Sequence, residues 1–130
     1  MTSLWLFLKA AHLLAFATWT AVGLGAYLVT QASCNHDTLA RYRYVASLQA
    51  SALAVLGVTG LLMAHLLGYP SWARAAGLIY LPLVFLEAVH LSATRNCQLL
   101  QSRVKYLTPV WSLLLAALLY LKLYKPTLPI

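Results

Sequence analysis

The sequence predicts an all-α integral membrane protein, an antiparallel bundle of four transmembrane helices. Hydrophobic residues make up 62% of the 130-residue chain and charged residues only 8%, whereas soluble domains carry about 25% charged residues. The apolar residues form four long stretches with short connections, a pattern typical of up-and-down bundles in membranes. Only two acidic residues, Asp37 and Glu87, are present. We therefore expect a single transmembrane domain over residues 1–130.

The first helix is predicted over about residues 4–30 and is apolar except for Lys9 and His12, one helical turn apart. An ionisable group at mid-membrane costs about 2.5 kcal/mol or more, so both are candidate functional residues. Lys9 has two interpretations: it reaches the lipid headgroups, or it meets an anionic group beside His12. Without a basic n-region or a cleavage motif, the segment is predicted to be a retained helix.

The second helix is predicted over about residues 45–67, after a charged linker at residues 31–44 whose last residues are candidates for additional helix. A turn containing Gly and Pro, residues 68–72, separates it from the third helix, about residues 75–93. Pro82 lies inside the third helix and should kink it or free a carbonyl one turn earlier.

The fourth helix is predicted over about residues 110–124, after a linker at residues 94–109. Lys122 can reach the interface, and Pro126 is expected to end the helix. The first and third loops, which share one end of the predicted bundle, carry five basic residues. The other end, formed by the second loop and the termini, carries four, one of which is the intramembrane Lys9. This weak bias favours the first and third loops as cytoplasmic.

Two cysteines, Cys34 and Cys97, lie at the same end of the predicted bundle in either orientation. In the cytoplasm they would stay reduced, whereas in a periplasm a disulfide between them is expected. Neither belongs to a CxxC motif, so zinc and thioredoxin-like sites are excluded.

The net charge of +7 does not indicate nucleic-acid binding, because the chain has no basic stripe with interleaved aromatic residues. The basic residues lie at span ends, where they contact headgroups. No nucleotide-binding loop, nucleophile elbow, HExxH or CxxCH motif occurs, so hydrolase and ATPase functions have no support. We expect a multi-pass protein of a bacterial inner membrane.

Histidines are the candidate cofactor ligands. His12 lies roughly 12 Å into the first helix and His65 roughly 5 Å from the end of the antiparallel second helix, at 1.5 Å per residue, so both occupy one leaflet. Imidazoles on neighbouring helices can hold a haem iron from both sides. The pattern therefore predicts haem b bound by His12 and His65, with His90 as the second choice and with Lys9 and Trp19 beside the cofactor.

A second polar pair, Glu87 and His90, lies at i and i+3 on one face of the third helix. Four interpretations remain open: a simple hydrogen bond, pairing of Glu87 with Arg95 at the interface, orientation of a ligand by Glu87, or part of a proton path. His36, placed in a loop, is a possible partner of His90. A single intramembrane carboxylate is too few for a di-iron site.

The first helix, WLFLKAAHLLAFATWTAVGL, resembles the opening helix of the HemJ-type membrane protoporphyrinogen oxidases and their CopD-like relatives, in which a lysine or similar residue precedes a histidine and a tryptophan follows. The second helix is similar to theirs in its basic and aromatic start and its pair Thr59-Gly60. Trp72 takes the place of a tryptophan that leads the third helix, and Lys125-Pro126 resembles a terminal lysine-proline. The resemblance implies a four-helix membrane protein that binds haem b through His12.

HemJ-type proteins usually carry a lysine early in the third helix, where this chain offers only Arg74, and the proline of their second helix is absent. Three hypotheses follow. The first is a haem b protein that passes electrons toward a quinone or a partner subunit. The second is HemJ-type oxidation of protoporphyrinogen IX, with the tetrapyrrole bound near His12 and Lys9. The third is a cofactor-free accessory subunit of a membrane complex. Lipid, other membrane subunits or further copies of the chain are the expected partners.

Overall fold

The computed structural model of the protein describes residues 2–32 and 34–129, with the side chains of residues 30–32 left out. The described chain forms four helices: α1 (Thr2–Ala32), α2 (His36–Leu66), α3 (Ser71–Ala93) and α4 (Cys97–Tyr124). All four are long and apolar enough to cross a membrane, and the described ranges contain no strand. The predicted all-α, four-helix membrane architecture is confirmed.

Helices α2 and α4 begin earlier than residues 45 and 110, where the sequence predicted them. Each start is capped by an asparagine: the Asn35 side chain accepts from the Thr38 N–H at 2.9 Å, and Asn96 accepts from the Leu99 N–H at 2.7 Å. Such caps satisfy backbone N–H groups that the first helical turn leaves without partners. The polar residues assigned to linkers are therefore mostly the first turns of long helices. Ser33, in the first predicted linker, lies outside the described residues.

Two prolines lie inside helices instead of ending them. α3 continues through Pro82, as expected, and α4 continues through Pro109, which the sequence had placed in a linker. Membrane helices tolerate proline because neighbouring groups and local adjustments satisfy the freed backbone carbonyl. His36, predicted to be in a loop, is the first residue of α2.

The core consists of two clusters stacked along the bundle. One, around Trp19, Leu53 and Leu83, lies in the middle, and the other, around Tyr42 and Leu100, lies toward the starts of α2 and α4. α1 packs mainly on α2, and α3 packs mainly on α4, whereas α1 and α4 meet over a short stretch. Many large apolar side chains are exposed on the outer faces, where a bilayer would solvate them.

Gly57 lets α3 approach α2 closely. The Tyr80 hydroxyl donates to the Leu53 carbonyl oxygen at 2.8 Å, and a Cβ at position 57 would collide with the hydroxyl end of that ring. In membranes, small residues at helix contacts let the helices approach closely. Close approach matters there because packing and hydrogen bonds, and not the hydrophobic effect, hold the helices together.

The two ends of the bundle are closed differently. At one end, Cys34 and Cys97 form a disulfide, and Arg43 donates to the carbonyl oxygens of Thr94 at 2.9 Å and Arg95 at 3.2 Å. We call this the disulfide end. At the other end, which we call the terminal end, the Leu128 N–H donates to the Ser71 hydroxyl at 2.9 Å. The chain after α4 is thereby held against the start of α3.

We predict that Gly57→Ala lowers the free energy of unfolding by about 1–3 kcal/mol, the usual range for overpacking, because the methyl group displaces the Tyr80 ring and breaks its bond to Leu53. Gly77→Ala is the matched control, since an added Cβ there meets nothing within 4 Å. Unfolding in detergent micelles, followed by circular dichroism, measures both. Equal stabilities of the two variants would contradict the proposed close contact.

Candidate functional site

Two clusters of polar side chains are enclosed by the apolar helices, one toward each end of the bundle. The His12 cluster, toward the terminal end, comprises His12, Thr59 and Lys122. The His90 cluster, toward the disulfide end, comprises Tyr42, Glu87 and His90. Each cluster joins side chains from different helices. Polar groups inside a membrane are expensive unless partnered and are commonly functional.

Hydrogen bonding fixes which nitrogen of His12 carries its proton. The Thr59 hydroxyl lies 2.7 Å from the Val55 carbonyl oxygen and 3.2 Å from that of Leu56, so its single hydrogen is donated to the backbone. At 2.9 Å from His12 Nδ1, Thr59 Oγ1 must then accept from an Nδ1–H. The tautomer is set by this contact, and the lone pair of the neutral ring is on Nε2.

Lys122 meets that lone pair. Its Nζ donates to His12 Nε2 and also lies 5.3 Å from the centre of the Phe16 ring, a favourable position for a cation over an aromatic face. The side chain is only partly exposed. The sequence suggested that Lys122 can reach the interface; the structure gives its ammonium group two partners within the bundle, His12 and Phe16.

The structure places the other candidates of this leaflet differently. Lys9 is exposed, and Lys122 makes the contact with His12. His65 is also exposed, and its Nδ1 lies 3.2 Å from the Tyr69 hydroxyl. In the described structure His12 contacts Thr59 and Lys122, whereas His65 contacts Tyr69. That His12 and His65 together bind a haem remains a prediction.

Trp19 is completely buried, with 0% of its surface exposed. Its ring contacts Phe16, with centroids 6.3 Å apart, and Trp111, with centroids 5.3 Å apart. Phe16 in turn lies beneath Lys122. An unbroken series of aromatic rings therefore leads from the His12 cluster into the middle of the bundle.

The His90 cluster is a chain of three buried groups. His90 Nδ1 lies 3.3 Å from Glu87 Oε1, and His90 Nε2 meets the Tyr42 hydroxyl. If Nδ1–H donates to the carboxylate, Nε2 accepts from the phenol, so both ring nitrogens are satisfied. The hydrogen bond between Glu87 and His90 is thus present, with Tyr42 as a third member that the sequence did not indicate. Arg95 is exposed at the end of α3.

A cavity of about 100 Å³ lies between the clusters, next to Glu87 and His90. It is also lined by Gln49 and Trp111, and both Gln49 Oε1 and Trp111 Nε1 are buried without a hydrogen-bond partner among the described residues. Sequence reasoning missed Gln49, although a lone amide in the middle of an apolar stretch is a clear signal in a membrane helix.

We predict that Tyr42→Phe lowers the free energy of unfolding by about 1 kcal/mol, because it leaves His90 Nε2 without a donor; interhelical hydrogen bonds in membranes average about 0.6 kcal/mol, and an unsatisfied buried group costs about 1–3 kcal/mol. Tyr44→Phe is the matched control, since Tyr44 is 80% exposed. Reversible unfolding in mixed micelles measures the difference. A Tyr42→Phe variant as stable as Tyr44→Phe would refute this role.

Together the two clusters supply an imidazole lone pair, an ammonium group and a carboxylate–imidazole–phenol chain. Such groups can hold a cofactor or carry protons. No group of three or more His, Cys, Asp or Glu side chains in the described ranges is arranged to hold a metal ion. Comparison with protein-family models, with curated proteins and with solved structures gives no match to this chain.

Proposed function

We propose that this protein is a small integral membrane haem b protein that transfers electrons, in which His12 would hold the iron. One observation carries the proposal: the Nδ1–H of His12 donates to Thr59, which puts the ring lone pair on Nε2, where Lys122 now contacts it. Metal-binding histidines almost always donate their other ring N–H in this manner, because it fixes the tautomer and the ring orientation.

The residues around His12 would suit a haem that is held by this histidine. Lys122, which meets Nε2, would yield that nitrogen to the iron, and its ammonium group is suited to a propionate carboxylate. A single histidine ligand is sufficient in several haem proteins. His65, the partner predicted from sequence, or a residue of another subunit would supply a second ligand.

Bound haem would supply a reversible one-electron couple, whose potential depends on its ligand and surroundings. The chain would contribute the rest. Thr59 holds the His12 ring, the apolar helices keep water away, and Lys122 compensates negative charge. Phe16 and Trp19 form the start of an aromatic series that leads from His12 toward the middle of the bundle.

We predict that protein purified from haem-replete cells shows a reduced haem b α-band, which His12→Ala removes and Thr59→Val weakens. Thr59→Ser should preserve the band because its hydroxyl still accepts from Nδ1–H. His65→Ala tests the second ligand predicted from sequence, and its exposed ring predicts an unchanged band. Reduced-minus-oxidised spectra measure all four variants.

Two outcomes would change the assignment. If His65→Ala and His12→Ala lose the band equally, the haem is bound by both His12 and His65, as the sequence predicted, and not by His12 alone. A folded, pigment-free protein that co-purifies with a larger complex would instead favour the accessory-subunit hypothesis.

HemJ-type protoporphyrinogen oxidation is the second candidate function. The contact between Lys122 and His12 supports it, because a cation beside an imidazole suits a tetrapyrrole carboxylate, although the lysine comes from the fourth helix. Complementation of a bacterial strain that lacks this oxidase separates the two functions. Normal insertion into the membrane without complementation would count against the enzyme.

We further propose that the protein is a multi-pass protein of a bacterial inner membrane with its disulfide end in the periplasm. Disulfides persist in oxidising compartments, so the Cys34–Cys97 bond outweighs the weak charge bias toward the opposite orientation. Arg43, one of the basic residues that create this bias, is held by the Thr94 and Arg95 carbonyl groups and has a structural role.

We predict that Cys34 and Cys97 resist a polyethylene-glycol maleimide in native membranes and react after a membrane-impermeant reductant is added to spheroplasts. Cys34→Ser leaves a single thiol at Cys97 and is the control for reagent access. The number of added labels is counted by gel mobility. Free thiols before reduction would contradict the proposed orientation.

A further inference from the structure

The cavity beside the His90 cluster combines three unusual features. It has a volume of about 100 Å³ and is lined by side chains of all four helices. Leu24 and Ser112, on α1 and α4, belong to its lining and are exposed. Its mouth therefore lies between these two helices, which pack on each other only over a short stretch, and faces the lipid.

A hydrogen-bond acceptor and a donor remain unpartnered at this cavity. Gln49 is only 4% exposed, and its Oε1 accepts from no described group. Trp111 Nε1, on the opposite helix of the bundle, donates to none. Burial of each such group costs about 1–3 kcal/mol, and hydrocarbon offers no substitute partner. A ligand that carries both a donor and an acceptor would satisfy them.

Gly23 makes space for these two side chains. A Cβ at this position would come within 2.9 Å of Gln49 Nε2 and 3.3 Å of Trp111 Cζ2, so both side chains would have to shift. The glycine thus allows the amide and the indole to lie against α1 at the cavity wall. Gly25, two residues further along, has no neighbour within 4 Å of an added Cβ.

The opposite wall carries Glu87 and His90, whose hydrogen-bonded chain ends at Tyr42. A carboxylate and an imidazole in contact can accept or return a proton. The cavity therefore suits a ligand whose oxygen atoms gain and lose protons. It is smaller than the ~150 Å³ that admits benzene, so one edge of a ring would enter while the remainder stays in the mouth.

We propose that this cavity binds the head group of a membrane-dissolved quinol. Gln49 Oε1 accepts from a quinol hydroxyl, and Trp111 Nε1 donates to a ring oxygen. A lipid-soluble quinol is the ligand class that enters from the bilayer, presents O–H groups on a flat ring and exchanges protons. The role of the site as an electron partner's binding site rests on the proposed function, because a haem protein in a membrane needs an electron partner that dissolves in lipid. The binding of the quinol itself requires no haem.

The site should bind quinol more tightly than quinone because of the hydrogen-bonding groups that line the cavity. A quinone presents only acceptors, so it satisfies Trp111 but leaves Gln49 Oε1 without a donor. A quinol satisfies both. Because one hydrogen bond is worth about 0.5–1.5 kcal/mol net, the site should prefer the quinol by about two- to twelvefold.

The test uses the full chain in lipid nanodiscs, with decylubiquinol under anaerobic conditions and decylubiquinone as the two probes. Isothermal titration calorimetry should show the quinol bound about two- to twelvefold more tightly. Gln49→Leu should abolish this preference while quinone affinity is retained. Trp111→Phe should weaken the binding of both ligands, and Gly23→Ala should also weaken it, because Gln49 and Trp111 must shift to admit the added Cβ.

Gly25→Ala is the control for Gly23→Ala on the same helix. If Gly23→Ala does not fold, the loss of preference in Gln49→Leu remains the deciding result. Equal affinity for both probes in the unaltered chain, or a preference unchanged in Gln49→Leu, would overturn the site. Haem spectra are recorded on the same samples: a haem band without quinol binding refutes this site alone, and quinol binding without haem refutes the haem proposal alone.

Discussion

Polar side chains inside a bilayer must find their partners on other helices, because the hydrocarbon offers none. This constraint organises the present bundle. His12 is held from α2 by Thr59 and from α4 by Lys122, and Tyr42 on α2 joins the pair Glu87 and His90 on α3. Apolar packing alone leaves helices free to rotate and slide, since lipid tails are as apolar as leucine. The polar contacts specify which faces meet.

The contacts between α1 and α4 show how the two ends cooperate. At the disulfide end, Cys34 just after α1 is bonded to Cys97, the first residue of α4. At the terminal end, His12 and Lys122 join the same two helices. Between these two links Trp19 contacts Trp111, and beside them the exposed Leu24 and Ser112 line the cavity. The bundle is thus closed at both ends and accessible from the side at its middle, where the cavity lies.

The sequence was sufficient to predict the number, type and order of the helices, because long apolar stretches in a chain with so few charges have one stable arrangement in lipid. It was less informative about helix ends. Asn35 and Asn96 cap turns that carry polar residues and so resemble linkers. Pro109 lies within α4, although proline interrupts helices in soluble proteins.

The candidate site was predicted in part for a related reason. His12 and the pair Glu87 and His90 were identified as unusual because they are ionisable groups within apolar stretches. Their partners come from other helices, and sequence spacing carries no information on such contacts. Lys122 was predicted only to be able to reach the interface, and its contacts with His12 and Phe16 depend on the rotation of α4, which sequence spacing does not give.

The disulfide also changes the covalent topology of the chain. It closes residues 34–97 into a ring that contains α2 and α3, with α1 and α4 attached as two arms at the point of closure. A single backbone cut in the turn between Leu66 and Ser71 opens this ring but leaves one connected molecule. The two halves of the bundle would then stay together as a two-chain protein under oxidising conditions and separate as chains only after reduction.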